Sequence, residues 1–208
     1  AVDGQVTALG NCGIGTASPS QRLHLSSTAS TYIQVQNTGD SVNAYYGVDT
    51  ASAWAGSSTN HPFKLHTNNT ERLHITSGGT AIFKAGLAEK FNNVGSIMAS
   101  GTHAIQSGNI IRFTGNENGT NSLNITGIHS TLANGEALSF TVIISPNGSG
   151  IINAINIDGV APATAIQWSG GSVPSAGASG RDVYTFTVLK IGTATNAYEI
   201  YGAATNYA

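Results

Sequence analysis

The sequence holds one cysteine in 208 residues. It can form neither an intrachain disulfide nor a cysteine-only metal site, and Cys12 reads as a small apolar filler. Charge is scarce as well. Asp, Glu, Lys and Arg make up 9% of the chain, against roughly 25% in ordinary globular proteins. The net charge is −2 and the eight Lys and Arg residues are scattered, so there is no basic footprint for nucleic acid. No apolar run reaches about 18 residues, so no membrane-inserting helix is expected. The opening "AVDGQVTALG" has no basic region followed by an apolar core, so a signal peptide is not expected. It also lacks an initiator Met, which suggests the ordered part of a longer or processed chain. Helical periodicity is nearly missing. Only residues 85–100, "AGLAEKFNNVGSIMAS", place Leu87, Phe91 and Val94 at offsets of four and three, which predicts a short helix.

What fills the sequence is Gly, Ser, Thr, Asn and Ala, with a hydrophobic content of 40%. That fraction is too high for a disordered chain, and small polar residues suit extended structure. The first half carries short strands such as "TYIQVQN" (31–37), "PFKLHT" (62–67) and "RLHIT" (72–76). Each has only two or three large apolar side chains. The second half is richer, with strands at 109–115, 122–128, 137–145, 151–159, 164–170, 182–190 and 196–204. Such strands broken by Gly, Asn and Pro predict a mainly β protein. The expected organisation is a short-strand, intertwined module over 1–85, a linker over 86–101 with the short helix, and an antiparallel, jelly-roll-like β-sandwich over 102–208. Strand parity places Phe140, Val142, Ile144, Ile155, Ile157, Phe186 and Val188 in the sandwich core.

The stretch "NCGIGTASPSQRLHL" (11–25) raises the question of a phosphate-binding loop. Such a loop needs a buried strand before its glycines and a helix after them. Here the phrase leads into strand-like "QRLHLSS" and contains no lysine. The structural reading is a corner: Gly13 and Gly15 permit tight turns, and Ser18-Pro19-Ser20 leads into the strand at Leu23.

The phrase "GIGTASPSQRLHL" resembles a module of bacteriophage tail-fibre and related virion proteins. There it is followed by a strand opening on an aromatic, here "TYIQVQNTG", and by a segment with an Glu-Arg pair before a strand, here "HTNNTERLHITSGGTAIF". The three phrases in order cover about residues 10–84. The second half is similar to a domain of marine phage structural proteins, through "LNITGIHSTLANGEALSFTVIIS" and "INIDGVAPATAIQWSGGSVPSAGASGRDVYTFTVLK". The resemblance implies a virion component, homotrimeric, in contact with other virion structural proteins. Host attachment as a tail-fibre or appendage component is the first expectation. A head fibre or capsid decoration protein is the alternative, and a polysaccharide hydrolase the third.

Catalytic chemistry is not expected from the residues. A glycosidase needs two facing carboxylates, and the ten Asp and Glu read as turn caps and local pairs; Asp158, for example, lies in the turn "IDGV". A tailspike-type long parallel β-helix would need a longer chain. The six histidines show no His-x-His or His-x-x-x-His spacing, so no metal pair is ready-made, although a trimer axis could gather copies of His24 or His74. No Gly-x-Ser-x-Gly elbow is present. No cofactor is expected. Sugar binding remains, because an exposed aromatic ring can stack on a pyranose. Trp168, Tyr184 and Tyr201 are the candidate receptor contacts, facing a host surface glycan. Trp168 supports two readings, a contact beside the "SGGSVPSAG" loop or a core residue at the sandwich edge.

Overall fold

The computed structural model describes residues 10–95 and 101–207. The chain is mainly β and divides after Leu87 into two compact units.

The N-terminal unit holds three small sheets. β1 (Cys12–Ile14) and β2 (Leu23–Leu25) form a parallel pair. β3 (Thr31–Asn37), β4 (Val42–Val48) and β5 (Ala53–Ser57) form an antiparallel meander, as do β6 (Phe63–Thr67), β7 (Thr70–Ile75) and β8 (Ala81–Phe83). Local chemistry sets these turns. Asn68 and Asn69 both take left-handed backbone angles, as a two-residue hairpin between β6 and β7 demands. The glycine phrase turns at Gly15, as expected, whereas Gly13 lies within β1, paired with His24, and not in a turn. Cys12 N–H donates to the Arg22 carbonyl at 2.8 Å and Ser26 N–H to the Ile14 carbonyl at 2.9 Å. Gly15 lies at φ 79°, and a β-carbon there would run into the Ser26 carbonyl oxygen, so no side chain would fit.

The C-terminal unit has two sheets around one core. β9 (Phe91–Val94), β11 (Ile110–Glu117), β13 (Ala137–Pro146), β16 (Arg181–Lys190), β17 (Tyr198–Tyr207) and β15 (Gln167–Trp168) make a six-stranded sheet. β10 (Thr102–Ala104), β12 (Thr120–Thr126) and β14 (Ile151–Ile157) make a three-stranded one. From β9 to β14 successive strands alternate between the sheets, and neighbours within each sheet run parallel. Parallel neighbours require a crossover. Here the crossover is a strand of the opposite sheet, so the chain winds three times around its own core. Only Asn118 and Gly119 separate β11 from β12. An Asn-Gly pair commonly closes a hairpin, yet its two arms here enter different sheets. The antiparallel pairing expected of the sandwich is found in β13–β16–β17.

Residues 91–94 are strand β9, paired with β11, and this corrects the expectation of a helix there. Asn92 and Asn93 are weak helix formers, and pairing with β11 satisfies their backbone. β9 therefore belongs to the C-terminal unit, and the linker expected over 86–101 is shorter than its outline. Residues 85–90 and 95 form no helix either, and the remainder of the stretch, 96–100, lies outside the described residues.

The core of the C-terminal unit contains Ile111 and Phe113 of β11, Leu123 and Ile125 of β12, and all seven residues expected from strand parity. One turn of helix, α1 (Ile128–Thr131), is held at both ends. At its start, Asp158 accepts the N–H groups of Gly127 and His129 at 2.5 and 2.8 Å. At its end, Lys190 donates to the carbonyls of His129 and Leu132 at 2.9 and 2.7 Å. A carboxylate at the start and an ammonium at the end both complement the helix dipole.

Candidate functional site

The three candidate contact residues have different fates. Tyr184 is fully buried and is corrected to a core residue. It shares strand parity with Phe186 and Val188, so its ring faces inward with theirs. Its ring stacks on Phe186 at 6.1 Å, and burial pushes its hydroxyl pKa up. Trp168 is half-buried and packs on the core. It pairs with Gly202 across β15–β17. Because Gly202 has no side chain, the indole lies over it and reaches Tyr184 and Phe186 at 6.2 and 5.8 Å. Of the two readings of Trp168, these contacts favour the core.

Tyr201 lies on the opposite face of the same strand and is 46% exposed. Register aligns it with Gln167 of β15 on one side and Thr187 of β16 on the other. Thr187 in turn faces Ser139 of β13, their hydroxyls 3.1 Å apart. The Tyr201 hydroxyl donates to Glu199 Oε2 at 3.0 Å. That bond, reinforced by the carboxylate's charge, raises the tyrosine pKa. Tyr201, Gln167 and Thr187 line a groove of about 470 Å3, bounded also by Thr185 and Ser169, with Glu199 beside it. Its volume falls within the usual range for small-ligand sites, roughly 300–1,000 Å3. Gln167, Thr185 and Thr187 were absent from the sequence reading. Their signal was present as strand parity, but the partner strands of Tyr201 were not.

Several titratable side chains elsewhere have structural partners. Asp182 is fully buried and accepts the Gly177 N–H at 2.9 Å and Asn206 Nδ2 at 2.8 Å, which ties the 170s loop to β16 and β17. Glu71 meets Lys64 at 2.9 Å, His74 at 3.1 Å and Lys84 at 3.6 Å. The Lys64 ammonium leads in holding its carboxyl down to about 2. His129 Nδ1 lies 2.8 Å from the Tyr198 hydroxyl and His24 Nδ1 accepts the Ser20 N–H at 3.2 Å. His103 is buried, with Nδ1 3.3 Å from Asn92 Nδ2 and Nε2 unpaired. Among the described residues no three His, Cys, Asp or Glu side chains gather as a metal site within one chain.

The N-terminal unit presents a different feature. Among its described residues none is buried. Paired residues share a sheet face, so Ile33 and Val35 lie with Ala44, Tyr46 and Val48 on one face of β3–β5. Val35 is 68% exposed and Tyr46 67%. On β6–β8, Phe63, Leu65, Leu73, Ile75 and Phe83 likewise share a face. The reverse side of β3–β5 carries Tyr32, Tyr45 and Trp54, which pack on one another at 5.0–5.8 Å.

No family model matches the chain, nor does any curated protein or solved structure.

Proposed function

We propose that the chain is a non-enzymatic structural subunit of a virion appendage, acting as a homotrimer and contacting the host surface through its C-terminal unit. The observation that carries this reading is the lack of any buried side chain among residues 10–87. Fixing each backbone residue costs roughly 1–2 kcal/mol. Burying a large apolar side chain returns roughly 1.5–3 kcal/mol, and only when water is excluded from it. Three small sheets with open apolar faces do not meet that cost within one chain. Copies of the same chain can supply the missing cover. The exposed aliphatic face of β3–β5 carries no charge, so like copies do not repel there. Association around an axis also covers the open edges of the three-stranded sheets. The choice of three copies, and the place in a virion, rest on the sequence resemblance to tail-fibre proteins. The C-terminal unit, with its own continuous core, fits the role of a knob carried by such a stalk. Native mass spectrometry of the full chain tests the reading: three chain masses are expected, and a stable monomer refutes it.

A further inference from the structure

We propose that the groove around Tyr201 binds a neutral sugar ring. This rests on the reading of the C-terminal unit as a host-contacting knob and names the chemistry of that contact. Three observations carry it. The Tyr201 ring is 46% exposed although it sits in the second-last strand of a six-stranded sheet. It is flanked in register by an amide, Gln167, and a hydroxyl, Thr187. Adjacent strands lie about 4.8 Å apart, so these polar groups stand beside the ring at the reach of the hydroxyls of a pyranose stacked on it. The groove is also almost uncharged. Its lining residues are Gln, Ser, Thr, Ala, Gly, Trp and Tyr, and the carboxylate beside it is Glu199, bonded to the Tyr201 hydroxyl.

Each group then has a defined part. The ring supplies an apolar platform for the C–H face of the sugar. Gln167 both donates and accepts, and Thr187 and Thr185 do the same through their hydroxyls. Glu199 has lone pairs beyond the one engaged by Tyr201, and these accept from sugar hydroxyls at the rim. The same carboxylate repels sialic and uronic acids, so neutral hexoses are favoured over acidic ones. The site is built on strands rather than loops, and Trp168 anchors its edge. The indole packs on the core from behind and fixes the short strand that carries Gln167.

The test uses the full chain on an array of neutral and acidic glycans, with cell adsorption measured in parallel. The wild type is expected to bind neutral hexose-terminated glycans. Tyr201→Ala should lose about tenfold or more, the equivalent of one good contact. Tyr201→Phe keeps the ring and should stay within about threefold. Glu199→Gln should raise binding to acidic glycans relative to neutral ones. Tyr207→Ala, which removes an exposed tyrosine outside the groove, should change nothing. Melting temperatures of all variants are compared with that of the wild type, so that lost binding is not misread unfolding. Binding undiminished in Tyr201→Ala, or a preference for acidic glycans, overturns the proposal. Adsorption to cells without any array binding also overturns it, while leaving host attachment standing. A full chain that neither adsorbs nor binds glycans overturns both.

Discussion

Replacing Trp168 by Ala tests whether the indole belongs to the core. Full burial of Trp is worth roughly 3–5 kcal/mol on truncation. Trp168 is half-buried, so the expected loss is smaller, about 2–3 kcal/mol, including its edge contacts with Tyr184 and Phe186. For a unit of this size each kcal/mol shifts melting by roughly 3–6 °C, so a fall of about 10 °C is expected by circular dichroism at fixed protomer concentration. The structure offers a sharper version. A β-carbon added at Gly202 would sit 2.9 Å from Trp168 Cζ3 and 3.0 Å from both Trp168 Cε3 and Ile166 Cγ2. The φ of Gly202 is not among the positive ones, so the cost of Gly202→Ala is overpacking, about 1–3 kcal/mol. Removing the indole frees most of that space. The double variant should therefore be less destabilised than the sum of the single changes by about 1 kcal/mol or more. Additivity within about 0.5 kcal/mol would show that the ring does not lie over Gly202, and the assignment of Trp168 to the core would fall.

Two further outcomes follow from buried titratable side chains. Lys190→Met keeps the aliphatic stem but leaves the carbonyls of His129 and Leu132 without their donor; the expected loss is about 1–3 kcal/mol, read by urea unfolding, and an unchanged midpoint would deny the ammonium its role at the end of α1. His103 has its pKa lowered from 6.5, chiefly by burial, with the Gly108 backbone opposing. Its neutral form is favoured in the fold, so this increment of stability is present above pH 6.5 and is lost as pH falls through the lower folded value. A histidine NMR titration should find the His103 ring still mostly neutral at pH 6.5, and a ring already mostly protonated there would contradict the burial argument.

The core of the C-terminal unit was legible because period two is enough to sort a strand's faces. Phe140, Val142 and Ile144 on one strand, and Phe186 and Val188 on another, are buried as alternation requires. The same rule puts Tyr184 inside, and weighing it as a contact set a residue type against its own parity. Pairing was not legible. Alternation names the face of a strand but not its neighbour, and the Asn118-Gly119 turn is compatible with a hairpin or with passage to the opposite sheet. The groove at Tyr201 depends on Gln167 and Thr187, which lie 34 and 14 positions away in sequence, so only the register could bring them together. The helical spacing of Leu87, Phe91 and Val94 misled because offsets of four and three in a short stretch also arise by chance; Asn92 and Asn93 argued for extended chain, and β11 offered a partner. The glycine phrase was legible in part: the lack of a lysine and of a following helix excluded a phosphate loop and Gly15 makes the turn, but Gly13 lies in strand β1, where only the pairing with β2 could place it.

The central claim is that residues 1–87 do not hold a fold as a single copy. Expressing that segment alone and following it by analytical ultracentrifugation and circular dichroism at low concentration tests this most directly. The account predicts a β-rich trimer, or an unfolded chain once diluted below the association threshold. A β-rich monomer with a cooperative melting transition would contradict it.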